Sequence, residues 1–156
     1  FEEAFQFFND FKLMILTPQN DEFTEMLKER FQENLFIGRV KHDEVNDYLS
    51  VADFAFATIR EHSIRAYCSP IKTGEYWACG LPVLITEGIG DDSQIIEQTG
   101  LGATFTLSKP ETVTNGLTHI KDLINDLTVQ EKIQALAHKH RSIEKTKAAY
   151  EKLLFK

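Results

Sequence analysis

Residues 69–86 read SPIKTGEYWACGLPVLIT: a polar start, a stretch of short-helix length, then an apolar run that opens at Pro82. The run 82–86 shows no alternation of apolar and polar side chains. That is the pattern of a strand covered on both faces, and such strands belong to parallel sheets flanked by helices. Ser69 and Pro70 suit a helix start just upstream, because a proline in a first turn gives up an N–H that would have no intrahelical partner. A helix feeding a covered strand is half of a βαβ unit, so the fold turns on whether the pattern recurs.

It recurs along most of the chain. Further apolar runs are LMILT at 13–17, LFIGRV at 35–40, FAFATI at 54–59 and ATFTL at 103–107. Helical stripes separate them: Phe1, Ala4, Phe5 and Phe8, then Phe23, Met26, Leu27 and Phe31, then Val45, Tyr48, Leu49 and Ala52. Strand and helix alternating in this way specify right-handed crossovers and an α/β fold, here a Rossmann-like doubly wound parallel sheet of about five strands. After Pro110 the strands stop. Helices are expected over 111–127, 128–140 and 143–155, the first entered through Ser108, Lys109, Pro110 and Glu111, with Val113, Leu117, Ile120 and Ile124 on one face. The expected organisation is one lobe over 1–156, an α/β core at 1–110 followed by helices at 111–156.

Composition agrees with one domain that has a real core: 156 residues, 42% hydrophobic and 26% charged. The chain opens on Phe1 inside a helical pattern, so a fragment of a longer protein is expected. No apolar run approaches the roughly 18 residues of a membrane span, and no leader pattern is visible. The expected location is cytoplasmic, with membrane association only through another lobe or the basic carboxy-terminal helices. A net charge of −7 argues against general affinity for nucleic acid. Its distribution is uneven: residues 1–128 carry 10 basic and 21 acidic side chains (net −11), and residues 129–156 carry 7 and 3 (net +4). Cys68 and Cys79 match neither a zinc motif nor a disulfide framework.

Ligands of open α/β sheets bind beyond the carboxyl ends of the strands, which selects the loops 17–21, 38–42, 59–74 and 86–92. The third, IREHSIRAYCSPIKTG, gathers Arg60, His62, Arg65 and Lys72 in an otherwise acidic region and points to an anionic ligand. The helix start after Pro70 offers backbone N–H groups and a partial positive charge, which with Lys72 suits a phosphate or diphosphate. Glu75 is too acidic for a phosphate but suits the paired hydroxyls of a ribose. A purely structural reading stands beside this one, with Ser69 an N-cap and Glu75 a solvated acid that favours the helix dipole. Elsewhere the structural reading is preferred. His42 is a helix-start residue, His138 and His140 are solvated, Asp91 and Asp92 cap a helix starting near Ser93, and Trp77 and Phe54 are core. Gly88-Ile89-Gly90 matches only part of a phosphate loop. No metal site is expected.

The string Glu75-Tyr-Trp-Ala-Cys-Gly-Leu-Pro-Val83 resembles the signature E-x-x-A-x-G-x-P-V of retaining glycosyltransferases of GT-B architecture (group 1, family 4 type). It is similar in particular to their bacterial polysaccharide branch, S-P-x-K-x-x-E-Y-x-A-x-G-x-P-V, with Ser69, Pro70, Lys72, Glu75, Tyr76, Ala78, Gly80, Pro82 and Val83 all matching. Upstream, LFIGRV, His42-Asp43-Glu44-Val45 and Tyr48–Asp53 follow the family order. Downstream, Asp91–Glu97 and Gly100-Leu101-Gly102 do the same. The resemblance implies that Glu75 binds the donor ribose, that Lys72 and the backbone of Ile71, Thr73 and Gly74 lie near the donor diphosphate, and that Arg39, Val40 and Lys41 border the nucleobase. Many relatives carry a second glutamate, which contacts the donor sugar, where this chain has Tyr67; that role is not carried over. The family's Gly-rich strand end with its Arg and Lys would precede Phe1.

The resemblance therefore implies the carboxy-terminal donor lobe of a two-lobe hexosyltransferase. Its substrate would be a UDP or GDP sugar, its acceptor a glycan or lipid-linked glycan, and its partner a missing amino-terminal lobe. It implies no cofactor, and the chain alone is expected to be inactive. No acid–base pair is evident, so no catalytic residue is assigned. Two alternatives stand beside it: a lobe of a sugar-nucleotide epimerase of similar fold, and a non-enzymatic nucleotide-binding α/β module. A signalling receiver would need acids at its first strand end, where Asp21 is a poor match.

Overall fold

The computed structural model describes residues 8, 10–59 and 62–154, and these fall into two units, Phe1–Ser50 and Val51–Lys156. In the first unit, β1 (Leu13–Leu16) and β2 (Leu35–Gly38) pair in parallel, Leu13 opposite Leu35 and Leu16 opposite Gly38. Helix α1 (Glu22–Phe31) makes the crossover. It starts where it does because Asp21 and Thr24 form a capping box: the Asp21 carboxylate accepts from the Thr24 N–H at 3.0 Å, and the Thr24 hydroxyl accepts from the Asp21 N–H at 2.9 Å. Its buried face is Thr24, Leu27 and Phe31. A 3₁₀ turn at 42–44 leads into the single-turn α2 (Val45–Leu49), where Tyr48 stacks on Phe36. Phe8 is buried; the rest of the first stripe, Phe1, Ala4 and Phe5, lies outside the described residues.

The second unit holds β3 (Ala55–Ala57), β4 (Val83–Thr86) and β5 (Gly102–Phe105), all parallel, in the order β3-β4-β5. Between them run α3 (Ile71–Ala78) and α4 (Asp92–Thr99). Then come α5 (Pro110–Ile124), α6 (Val129–Arg141) and α7 (Ile143–Leu154). β4 is the central strand, and all of Val83 to Thr86 are buried, as its unbroken apolar run requires. Helix α5 lies against β5 and β4 so closely that a Cβ on Gly116 would stand 2.7 Å from Leu84 Cδ1. Val113, Leu117 and Ile120 complete that buried face, while Ile124 is partly exposed. Helix α6 packs against α3.

The parallel α/β class and all the expected strands are present. They pair, however, as a two-stranded and a three-stranded ladder rather than in one sheet of five. Apolar runs identify strands by their burial but carry no information about which edges pair. The strands are also shorter than their apolar runs, because the ladder bonds stop where the chain turns away, as after Gly38 and after Ala57. The final helices fall close to the expected bounds, but α7 buries none of its residues.

Candidate functional site

The signature segment folds as α3, a tight turn and β4. Its small and rigid residues have mechanical reasons. Gly80 has φ of +77°, the left-handed conformation that glycine adopts without a Cβ penalty. Its N–H donates to the Trp77 carbonyl at 2.9 Å, and the Leu81 N–H donates to the Tyr76 carbonyl at 2.9 Å. Those two bonds form a Schellman motif that ends α3. Pro82 then needs no donor of its own, and its carbonyl accepts from the Ala55 N–H at 2.9 Å, locking β4 to β3. The signature thus fixes both ends of the turn that joins α3 to β4.

At the other end, α3 has no side-chain cap. Pro70 occupies the N-cap position, one place earlier than a first-turn proline, and Ser69 does not cap the helix. Every other described α-helix carries an acid in its first turn; α3 carries none there and has Lys72 instead. A cation at a helix N-terminus opposes the dipole and is stabilised by an anion at the same place. Here that anion is Glu75, whose Oε2 lies 2.8 Å from Lys72 Nζ. The Lys72 side chain is mostly exposed and the pair is three residues apart, so it contributes well under about 1 kcal/mol and is easily exchanged for another partner. Ile71 is exposed, whereas Thr73, backbone included, is fully buried. Burial raises the Tyr76 phenol above its ordinary range, against the pull of Lys72. Burial and then Glu75 raise the Cys79 thiol, so neither residue is primed as a nucleophile.

The cationic loop is brought together only in part. Arg60 lies outside the described residues. His62 is exposed, and its Nδ1 accepts from the Ile64 N–H, capping the 3₁₀ turn 63–67. Arg65 is turned toward the 87–91 loop: its carbonyl accepts from the Gly90 N–H at 3.0 Å, and its Nε lies 3.7 Å from where a Gly88 Cβ would be. Tyr67 is 88% exposed. In the first unit, Arg39, Val40 and Lys41 follow the carboxyl end of β2, and the Lys41 N–H donates to Glu44 Oε2 at 3.0 Å. No group of His, Cys, Asp or Glu that could hold a metal ion occurs among the described residues.

Asp91 and Asp92 require a correction. Asp91 stands at the N-cap of α4, but neither carboxylate caps the helix, and the Ile89 N–H turns instead to Ser93 Oγ at 3.0 Å. Both acids bind Arg141, from the last turn of α6: Nη2 lies 3.0 Å from Asp91 Oδ1, Nη1 lies 3.5 Å from Asp91 Oδ2, and Nη2 also contacts Asp92 Oδ1. A guanidinium outcompetes a backbone N–H for a carboxylate because the bond is charge-assisted and can be bidentate. The Arg141 bond holds Asp91 below the usual carboxylate range. Burial pushes fully buried Asp92 up in spite of Arg141. Burial also works against the Arg141 charge, but the two acids outweigh it and raise that group further. No local pattern announces this cluster, since Arg141 lies 49 residues beyond Asp92. Only the packing of α6 on α3 brings them together.

No curated protein and no solved structure matches the chain. One family model does match, over residues 2–139, and it describes the glycosyl transferases of group 1. The match runs through β1, β2, the loop after it and the whole α3–β4 segment, and this chain belongs to the group 1 glycosyl transferases.

Proposed function

We propose that this chain is the donor-binding lobe of a retaining hexosyltransferase of GT-B architecture, acting with an amino-terminal lobe on a UDP or GDP sugar and a glycan or lipid-linked acceptor. The observation that carries the reading is the uncapped start of α3, which holds a lysine where the other described helices hold an acid. A diphosphate at that end would accept from the accessible first-turn amides of Ile71, Lys72 and Gly74 and would take Lys72 from Glu75; Thr73, fully buried, would support the turn from inside. Glu75, released, would accept from the ribose hydroxyls. A departing diphosphate would be stabilised by the same groups, since preorganised donors and a cation cost little reorganisation as charge develops. The roles of Arg39, Val40 and Lys41 at the nucleobase rest on the family resemblance. Among the described residues, no helix is long and apolar enough to cross a membrane. Cytoplasmic action, with membrane contact through the other lobe or the basic helices, belongs to the same proposal.

Calorimetric titration with UDP and with GDP tests the reading. One of the two nucleotides should bind, and Glu75→Ala and Lys72→Ala should each weaken it by about tenfold or more, the scale of one or two charge-assisted hydrogen bonds. Unchanged affinity in both variants would sink the assignment.

A further inference from the structure

A single side chain ties the start of α3 to two other helices. Arg141 leaves the last turn of α6 and crosses Gly74, its Cγ and Cβ 3.1 and 3.4 Å from where a Gly74 Cβ would stand. Its guanidinium carbon lies 5.7 Å from the ring centroid of fully buried Trp77, and its nitrogens end on Asp91 and Asp92 at the start of α4. Thr73, one residue from the crossing, is also fully buried. Four buried polar atoms have no partner among the described residues in this cluster: Thr73 Oγ1, Trp77 Nε1, Asp92 Oδ2 and Arg141 Nε. Polar groups buried so incompletely are a poor way to gain stability, and apolar residues of similar volume usually serve at least as well. What the cluster does supply is a fixed position, because a planar fork on two carboxylates tolerates little displacement. Gly74 and Trp77, which Arg141 meets, stand beside the ligand candidates Lys72 and Glu75 on the same short helix.

We infer that Arg141 is a positioning residue: held by Asp91 and Asp92, it sets the first turn of α3 so that its accessible amides and the side chains of Lys72 and Glu75 meet a nucleoside diphosphate. The inference rests on the donor-site reading above. It goes beyond the family match, which ends at residue 139. With no side-chain cap on α3, this packing reaches its first turn from outside the helix.

The test uses the chain with Arg141→Met, which keeps the length and loses the fork, Arg141→Lys, which keeps the charge, and the milder Asp91→Asn at an exposed carboxylate. Hydrogen exchange is followed at the amides of residues 75–78, which bond back to the first turn, alongside UDP and GDP affinity. Arg141→Met should speed exchange at 75–78 at least tenfold with β4 amides unmoved, and should weaken nucleotide binding at least fivefold. Arg141→Lys should recover part of both, and Asp91→Asn should shift both in the same direction by about two- to threefold. If Arg141→Met fails to fold, Asp91→Asn and Arg141→Lys decide the matter. Wild-type exchange and affinity in all the variants that fold would overturn the inference, as would exchange that quickens equally in β4. A wild-type chain that binds neither nucleotide overturns the donor-site reading and this inference with it. Loss of binding in Glu75→Ala with none in Arg141→Met overturns this inference alone.

Discussion

At the level of single residues, the signature glycine and the first-turn lysine have opposite energetic characters. Gly80 is a stability residue. A Cβ there would face both the left-handed backbone conformation and Gln130 Cγ on α6. Gly80→Ala should cost about 1–3 kcal/mol, read as a lower urea midpoint with an unchanged slope. An unshifted midpoint would show that the turn relaxes freely. Lys72 is the reverse case. Its one ion pair is largely solvated, so Lys72→Ala should leave stability within about 0.5 kcal/mol while its effect falls on ligand affinity. Leu84 sets the upper end of the range, fully buried at the centre of the three-stranded ladder, and Leu84→Ala should cost about 2–5 kcal/mol.

Among the helices, α6 has a pH-sensitive group at each of its ends. At its start, the Asp126 carboxylate accepts from the Thr128 N–H at 2.9 Å, the Thr128 hydroxyl at 2.8 Å and Lys132 Nζ at 3.1 Å. The backbone bond from Thr128 leads the shift that takes Asp126 from 3.8 down to about 2. A lowered acid stabilises the fold above its unfolded value and loses that contribution as pH falls through the folded one. Asp126→Asn should therefore flatten the decline in stability between about pH 4 and pH 2; an unaltered slope would show that the turn does not sense this charge. At the other end, burial and then Lys139, Arg141 and Lys145 lower His140, with Asp91 pulling the other way. The unfolded chain then binds the proton more readily, so this group costs stability as pH falls below about 6.5. His140→Gln should remove that loss between about pH 7 and pH 5 in thermal melts. Helix α7 buries no residue, so ending the chain after Ser142 should change the midpoint little.

Across the chain as a whole, the sequence was legible wherever burial or local geometry decides the outcome. The unbroken apolar runs mark the strands, the 3.6-residue stripes mark α1 and α5, and the string from Glu75 to Val83 marks a helix, a Schellman turn and a buried strand. Pairing was not legible: nothing in LFIGRV or FAFATI says whether the two strands share a ladder. Nor was the Arg141 cluster, because a contact between α6 and the starts of α3 and α4 leaves no periodicity in either segment, and Asp91 and Asp92 look like ordinary caps from their neighbours. Even the uneven charge had a hidden part. Arg141 counts toward the basic carboxy-terminal stretch, yet it turns inward to two acids. Whether the start of α3 receives a nucleoside diphosphate can be read by titrating UDP and GDP into isotope-labelled chain and mapping the backbone amide shifts. Saturable one-to-one changes should centre on Ile71 to Glu75 and need about tenfold or more nucleotide to saturate in Glu75→Ala. Saturable binding that leaves residues 71–75 unshifted would place the nucleotide elsewhere and refute the donor site at α3.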